Sequence, residues 1–211
     1  MKPTVALFLY DPKCSVQSGN GIIRALQSDY NFKIFSKNEV EDSFFEDVDI
    51  IAVPGGIGDA SSFSSAFKYN GERVKDFVTS GGRYLGICMG AYWAGSNYFD
   101  MLDSVDAVQY LTRPHADTRR PHAKDIKTTW RGTPTTMFWY DGCALVGDSN
   151  KFETVATYSN GDAMAIIQDR IGLIGCHPEA EQFWYNGYSW MDGKYSSKHQ
   201  LLLDFTNSLM N

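Results

Sequence analysis

The sequence predicts an α/β domain built on a parallel, doubly wound sheet, and three observations indicate this class. Short apolar runs alternate with longer amphipathic runs through the first half of the chain, which is the rhythm of β-α-β units with right-handed crossovers. The apolar runs are nearly continuous, as expected of strands that are covered on both faces. The chain has 211 residues, which suits a single domain spanning residues 1–211 that needs no disulfide or metal to stabilise its core.

The first half is predicted to contain four strands, three helices and the turns between them. The strands are the apolar runs Val5–Tyr10, Phe32–Phe35, Val48–Val53 and Tyr84–Ile87. The helices are Gly21–Ser28, Ser61–Thr79 with an irregularity near Asn70-Gly71, and a third that begins within Ala91–Ser96. The turns and stops are Asp11-Pro12, Pro54-Gly55-Gly56 and Gly81-Gly82.

The second half changes character and predicts β-hairpins added to the parallel sheet. Its strands are Thr135–Tyr140, Phe152–Tyr158, Ala163–Gln168 and Ile171–Gly175, with hairpin turns at Asn160-Gly161 and Asp169-Arg170. A closing helix is predicted over Ser197–Leu209. The polar stretch 104–130 yields no strand prediction.

Composition excludes several classes of function. The formal charge of −6 and the isoelectric point near 5.1 argue against nucleic acid or an anionic membrane as a partner. No run approaches the roughly 20 apolar residues of a membrane span, and Val5–Tyr10 is too short for a signal peptide core. The four cysteines are far apart without C-x-x-C spacing, which favours a reducing compartment, and we expect the cytoplasm.

Cys88 is the first candidate for catalysis because glycine flanks it on both sides, in Gly86-Ile-Cys-Met-Gly90. Flanking residues without Cβ atoms allow a strand to turn sharply into a helix and expose the nucleophile. The helix that follows would place N–H dipoles near the sulfur and favour the thiolate. The N–H of Met89 would face an oxyanion, with a second donor from Gly55-Gly56. On this pentapeptide alone, a buried structural cysteine stays open.

A second motif, Ile174-Gly-Cys-His-Pro-Glu179, ends an apolar strand with a histidine and a carboxylate. Pro178 restrains the backbone so that both side chains can address one cleft. His177 would accept the Cys88 proton, and Glu179 would orient the imidazole. Because ligand sites gather at the carboxyl ends of parallel strands, we expect the two motifs to meet there.

Three segments resemble the signature segments of class I glutamine amidotransferases: Val53-Pro-Gly-Gly56, Gly86-Ile-Cys-Met-Gly90 and His177-Pro-Glu179. The longer segment Arg83–Trp93 is more specifically similar to the amidotransferase-like segment of eukaryotic biotin–protein ligases and its stand-alone relatives. The resemblance spans about residues 4 to 205, while the sharp motifs cover only about twenty residues.

The resemblance implies a flavodoxin-like three-layer sandwich, a catalytic triad and an oxyanion hole. The triad would be Cys88, His177 and Glu179, with the oxyanion donors on Gly56 and Met89. Gly55, Gly90 and Tyr92 are the further candidates for contact with substrate. Tyr92 is a departure, because glutamine amidotransferases usually carry a glutamine there that helps to bind substrate glutamine.

The leading hypothesis is a cysteine-dependent amidohydrolase or amidotransferase-like protein that acts through a thioester on a small-molecule or peptide amide. No cofactor or metal is predicted. The substrate could instead be a peptide or γ-glutamyl amide, as in related peptidases and γ-glutamyl hydrolases. A non-catalytic binding or regulatory module and a redox sensor stay open, as do a homodimer and a separate acceptor subunit.

The basic stretch 113–122 contains His115, Asp117 and His122, whose spacing fits no common metal motif. A solvated loop is the preferred interpretation, although the stretch could recognise a carboxylate or phosphate, or fold over the cleft as a lid. Two aromatic clusters, around residues 130–140 and 183–190, are predicted to be mainly packing, with some members of the second at the pocket mouth.

Overall fold

A computed structural model of the chain describes residues 1–9, 14–39, 42–57, 59–67 and 71–211. These residues form an eleven-stranded mixed sheet with helices on both faces. The predicted Asp11-Pro12 turn, the end of the first predicted strand at Tyr10, and Asn70 lie outside the described residues.

The strands in chain order are β1 (Thr4–Phe8), β2 (Asn31–Phe35), β3 (Ile50–Val53), β4 (Arg83–Ile87), β5 (Val105–Gln109), β6 (Lys124–Trp130), β7 (Thr133–Trp139), β8 (Cys143–Gly147), β9 (Glu153–Tyr158), β10 (Ala163–Gln168) and β11 (Ile171–Ile174). The α-helices are α1 (Val16–Leu26), α2 (Phe63–Phe67), α3 (Gly71–Thr79), α4 (Met89–Trp93), α5 (Gln182–Asn186) and α6 (His199–Met210). Short 3₁₀ turns lie at Asp42–Phe45, Ala60–Ser62, Tyr110–Thr112, Ser149–Lys151 and Ser189–Met191.

The sheet has a parallel half and an antiparallel half. The parallel half runs in the order β2-β1-β3-β4-β11. The antiparallel half continues through β10, β9, β6 and β7, while β8 pairs with β10 and β5. This is the predicted α/β architecture, a mostly parallel sheet in its first part with hairpin additions from the second half of the chain.

Alternating side chains of the parallel strands supply two cores, one on each face of the sheet. In β1, Val5 and Leu7 pack in the core that contains the apolar faces of α1 and α6. Their neighbours Ala6 and Phe8 pack on the opposite face with residues of α2, α3 and α4. Because successive strand residues point to opposite faces, a continuous apolar run serves both cores at once. The result is the three layers that the sequence predicted.

Helix α1 begins five residues earlier than predicted. Its N-cap is Ser15, whose hydroxyl accepts a hydrogen bond from the N–H of Ser18, and this capping supplies the start signal. The prediction began at Gly21 because the first turns, with Ser18 and Gly19, bury no large apolar side chain. Their buried positions are small residues at points of close packing instead.

Three strands and one helix of the second half were not predicted: β5, β6, β8 and α5. In β6 the buried side chains of Ile126, Thr128 and Trp130 alternate with Lys127 and Thr129. Its polar composition hid an alternation that becomes clear only when β7 and β9 pair on either side. The stretch 104–130, treated as polar loop, therefore contributes two strands to the sheet.

The carboxyl ends of β3, β4 and β11 lie side by side, because these strands are parallel and adjacent. The segments that follow them carry Gly55-Gly56, Cys88 and His177, so the predicted motifs meet at one edge of the sheet. No helix among the described residues is long and apolar enough to cross a membrane.

Candidate active site

Cys88 occupies a strained bend between β4 and α4. Its backbone has φ 51° and ψ −102°, a conformation that costs a non-glycine residue about 1–3 kcal/mol. The surrounding hydrogen bonds hold it: the N–H of Cys88 donates to the carbonyl of Ile174 at 2.8 Å, and its own carbonyl accepts from Ala91 and Tyr92. A non-glycine residue held in a rare conformation at a strand end is typical of a functional nucleophile.

The two flanking glycines are required by close contacts. A Cβ on Gly90 would lie 2.1 Å from the carbonyl oxygen of Val53, and one on Gly86 would lie 2.5 Å from the carbonyl oxygen of Gly90. The phenol of Tyr84 also donates to the Gly90 carbonyl at 2.7 Å. The steric purpose assigned to these glycines from the sequence is therefore visible in the packing of the bend.

His177 lies at the end of β11 with its ring 6% exposed. The backbone N–H of His177 donates to the carbonyl of Phe138 at 2.9 Å. The ring nitrogen Nδ1 is 2.8 Å from Oε1 of Glu179. Burial by itself lowers the pKa of the imidazole, but the negative charges of Cys88 and Glu179, with hydrogen bonds to both side chains, outweigh burial and raise the pKa of His177 to about 10. Since Nδ1 faces Glu179, Nε2 is the nitrogen left for Cys88.

Glu179 is fully buried. Its Oε1 accepts from His177 and from the hydroxyl of Ser18, which lies 2.6 Å away on α1. Its backbone carbonyl is 3.2 Å from Nε2 of His199, and its Oε2 has no hydrogen-bond partner among the described residues. The carboxylate therefore depends on two donors, both directed at one oxygen.

An aromatic wall stands against the imidazole on the side of β7 and α5. The ring centroids of Phe138 and Trp184 lie 5.8 Å and 5.3 Å from that of His177, and both contacts are edge-on. The two aromatic rings also touch each other, with centroids 5.2 Å apart. This packing excludes water from one side of the imidazole. Charged partners interact more strongly with the ring where water is absent.

The loop after β3 runs beside the imidazole. A Cβ on Gly55 would lie 2.6 Å from Cε1 of His177, so this position has no room for a side chain. The backbone N–H groups of Gly56 and Met89 donate to no residue of the described chain.

Tyr92 and the segment after β7 close the other side of the thiol. The Cys88 thiol lies 3.9 Å from the carbonyl oxygen of Tyr140, and the Tyr92 hydroxyl donates to the carbonyl of Asp141 at 3.2 Å. Burial, and then the nearby charges of Cys143 and Cys88, raise the pKa of the Tyr92 phenol well above its usual value. The Tyr92 side chain is thus an uncharged phenol that borders the site.

The other three cysteines differ from Cys88 in their surroundings. Cys14, Cys143 and Cys176 are fully buried, free thiols, and burial raises the pKa of each of them. Buried neutral thiols are poor nucleophiles. Among the described cysteines, Cys88 is the one whose charge helps to raise the pKa of His177.

The basic stretch 113–122 packs beside the hairpin of β9 and β10. Arg113 makes two hydrogen bonds to the carboxylate of Asp162, at 2.8 Å and 3.1 Å, and Ala116 is buried in the core on the α6 face. No hydrogen bond given for the described part of this stretch reaches Cys88, His177 or Glu179. The described residues contain no cluster of metal-ligating side chains, so His115 and His122 are not brought together in such a group.

Two cavities of about 610 Å³ and 300 Å³ lie on the antiparallel half of the sheet, and Cys88 lines neither of them. The first lies along β6 and β7, and the second lies along β8 and β9. Cys88 is 7% exposed, and the site is assigned from the chemistry of the side chains around it.

Sequence reasoning missed Ser18, Tyr140 and Trp184. Tyr140 and Trp184 belong to the two aromatic clusters noted in the sequence, but nothing there indicated which members reach the site. Ser18 precedes the helix predicted from Gly21, and no local signal marked it, because its partner stands 161 positions away.

Comparisons with known proteins agree with this fold. Residues 12–109 match the family described as biotin-protein ligase, N terminal. No curated protein sequence matches the chain. A glutamine amidotransferase from Thermotoga maritima is similar in structure with a TM-score of 0.69 at 11% identity, covering 100% of this chain and 99% of its own.

Two further solved structures are similar over nearly the whole chain. A chain of PurLQS from Thermotoga maritima has a TM-score of 0.66 at 14% identity and covers 99% of this chain and 100% of its own. Another glutamine amidotransferase has a TM-score of 0.67 at 14% identity and covers 98% of each chain. The resemblance expected from the sequence is confirmed at the level of the fold: the chain has the fold of these glutamine amidotransferase structures, and residues 12–109 match the biotin-protein ligase N-terminal family.

Proposed function

We propose that this chain is a cysteine-dependent amidohydrolase of the amidotransferase-like type, with Cys88, His177 and Glu179 as its catalytic triad. The observation that carries the proposal is the position of the His177 imidazole. It hydrogen-bonds Glu179 through Nδ1 at 2.8 Å, and the charge of Cys88 is close enough to help raise the pKa of the ring. A buried imidazole between a thiol and a carboxylate is the arrangement that activates a nucleophilic cysteine.

The first half of the proposed reaction forms a thioester. His177 holds the proton of the Cys88 thiol, and the thiolate attacks the carbonyl carbon of the amide. The N–H groups of Gly56 and Met89 stabilise the oxyanion of the tetrahedral intermediate. The C–N bond then breaks as His177 donates its proton to the leaving nitrogen, which departs as ammonia or an amine.

The second half hydrolyses the thioester. His177 takes a proton from a water molecule, whose oxygen attacks the thioester carbonyl. The second tetrahedral intermediate expels the Cys88 thiolate and releases a carboxylic acid. Glu179 keeps the imidazole oriented and stabilises its cation in both halves, without itself carrying the transferred proton.

We further propose that the substrate is a small amide or peptide with an apolar group beside the scissile carbonyl. Exposed apolar side chains flank the site residues: Ile57 follows Gly56, Tyr140 lies at the thiol, and Phe183 precedes Trp184. Tyr92 is a largely buried neutral phenol where glutamine amidotransferases carry a substrate-binding glutamine. An apolar rim and a phenol wall favour an apolar group over the charged end of free glutamine.

The experiment is an amide panel assayed with the wild type, Cys88→Ala and the matched variant Cys143→Ala. The panel contains glutamine, γ-glutamyl amides and short peptides with aromatic residues, and mass spectrometry searches for an acyl adduct on Cys88. We expect hydrolysis by the wild type and by Cys143→Ala, and none by Cys88→Ala.

Retained activity in Cys88→Ala would overturn the proposal. An inactive wild type with a Cys88 that iodoacetamide alkylates no faster than an ordinary thiol would instead identify a non-catalytic binding module.

A further inference from the structure

Ser18 lies at the centre of a hydrogen-bonded chain that joins the acid of the site to the loop after β3. The serine is fully buried on the first turn of α1. Its hydroxyl oxygen accepts from the N–H of Gly55 at 3.0 Å and donates to Oε1 of Glu179 at 2.6 Å. These partners lie 37 positions and 161 positions away in sequence, so three separate segments converge on one hydroxyl.

The direction of each hydrogen bond in this chain follows from chemistry. The backbone N–H of Gly55 can only donate, so the Ser18 oxygen must accept from it. The single Ser18 proton is then free for Glu179, whose ionised oxygens can only accept. Because Oε1 accepts from Ser18, the remaining bond to Oε1 comes from Nδ1–H of His177. The chain therefore selects the tautomer that leaves Nε2 facing the thiol.

We propose that Ser18 is a positioning residue of this site, which holds the Glu179 carboxylate toward His177 and anchors the Gly55-Gly56 loop beside the bend at Cys88. The inference deepens the proposed function and assigns a role to a residue that touches neither substrate nor thiol. A buried carboxylate needs several donors to stay ionised. Ser18 supplies one of the only two that the described residues direct at its side chain.

The rest of α1 supports the same segment. A Cβ on Gly21 would lie 2.3 Å from the carbonyl oxygen of Glu179, and the guanidinium of Arg24 forms an ion pair with Glu181. Ser18, Gly21 and Arg24 stand three residues apart and so share one face of the helix. This face of α1 packs against residues 179–181, the segment that carries Glu179.

Titratable and charged groups also lie around Glu179 and His177 on the packed elements, and a pH experiment must account for them. Cys88 acts on His177 from the bend after β4, and Nε2 of His199 on α6 lies 3.2 Å from the Glu179 carbonyl. Cys176 precedes His177 in the chain, and Glu181, two residues after Glu179, pairs with Arg24 of α1. Among these elements, Ser18 hydrogen-bonds the Glu179 side chain, and the charge of Cys88 acts on the His177 ring. His199→Gln, which keeps an N–H donor toward the Glu179 carbonyl, tests whether the His199 titration contributes.

The experiment measures the rate of Cys88 alkylation by iodoacetamide from pH 5 to pH 10, which requires no substrate. Loss of a hydrogen bond to a charged group is worth about tenfold or more, so we expect Ser18→Ala to slow alkylation at neutral pH by about that factor. The acid limb of its profile should move to higher pH. Ser18→Thr, which keeps the hydroxyl, should restore the wild-type profile.

Ser15→Ala is the matched control, because Ser15 caps the same helix without contacting Glu179. Ser15→Ala should lower Tm without moving the midpoint of the alkylation–pH profile. A Ser18→Ala profile with the wild-type midpoint, whatever its amplitude, would overturn the proposal, since a purely structural role lowers the reactive fraction without moving the midpoint. If the wild type hydrolysed no amide, the proposed function would be overturned. The role of Ser18 could still be tested, because the alkylation rates need no substrate.

A second measurement covers the case in which Ser18→Thr does not fold. The proton on Nδ1 of His177 should give a downfield NMR resonance in the wild type, since it is donated to a buried carboxylate. Ser18→Ala should shift or broaden this resonance, and Ser15→Ala should not. An unchanged resonance in folded Ser18→Ala would exclude the positioning role.

Discussion

Nδ1 of His177 lies 2.8 Å from Oε1 of Glu179, although only Pro178 separates the two residues. Both side chains are buried, so the contact forms inside the protein, where an unpaired carboxylate would be costly. This short-range pair acquires its chemistry from distant segments. Cys88 follows β4 and its charge acts on His177, while Ser18 of α1 hydrogen-bonds Glu179.

The first prediction concerns the protonation of His177. Its raised pKa of about 10, against a usual value of 6.5, means that the native protein holds this proton more tightly than the unfolded chain. The stabilisation is fully present below pH 6.5 and is lost as the pH rises toward 10. Relative to His177→Gln, the unfolding free energy of the wild type should fall across this window, by at most about 1.4 kcal/mol per pH unit.

Denaturant titrations at pH 6 to pH 10 check this slope, and NMR titration of the imidazole checks its origin. In Cys88→Ala the midpoint of His177 should move to lower pH, because the thiolate charge that helps to raise it is gone. An unchanged midpoint in that variant would contradict the proposed contact between thiol and imidazole.

The second prediction concerns Glu179→Gln. The substitution keeps the size of the side chain but removes the charge that stabilises the imidazolium, so we expect kcat for amide hydrolysis to fall about 10³-fold or more. Glu181→Gln is the matched control. That carboxylate pairs with the exposed Arg24, and such pairs contribute little. Similar losses in the two variants would remove Glu179 from the mechanism.

The third prediction concerns Gly55→Ala. The added methyl would lie 2.6 Å from Cε1 of His177, so the ring or the loop must move. We expect a loss of about 1–3 kcal/mol in stability and a large fall in Cys88 alkylation. Gly187→Ala, where nothing lies within 4 Å, should leave both quantities unchanged. Thermal melts and alkylation rates measure the two effects.

The fourth prediction concerns substrate preference at Tyr92. Tyr92→Gln replaces a buried phenol by the residue type that glutamine amidotransferases usually carry there. We expect the ratio of kcat/KM for glutamine to that for an aromatic amide to rise in this variant. Tyr92→Phe, which removes only the hydrogen bond to Asp141, should leave the ratio near the wild-type value. Equal ratios in all three proteins would exclude Tyr92 from specificity.

The fifth prediction concerns the basic stretch 113–122. Arg113 is held by Asp162, so Arg113→Ala should cost about 1 kcal/mol in stability without changing Cys88 alkylation. A clear change in the alkylation rate would show that this stretch controls access to the site. Chemical denaturation and the alkylation assay on the same preparation separate the two outcomes.

Much of the fold could be predicted because its signals are local. The runs at Val5, Val48 and Tyr84 are nearly continuous in apolar residues, and strands β1, β3 and β4 begin within two residues of them. Strand β10 has the predicted bounds Ala163–Gln168. Strands β5, β6 and β8 escaped prediction because they are short or polar, and their stability comes from pairing with strands distant in sequence.

The sequence by itself determined the bend at Cys88, because the need for glycine on both sides is a local steric requirement written in five residues. It also determined the pairing of His177 with Glu179, since two residues around one proline have few ways to lie apart. Only the tertiary structure decided which segments surround this pair. Ser18 reaches Glu179 because the packing of α1 against the segment after β11 closes a loop of 161 positions, and no local pattern encodes a contact that two separately folded segments make.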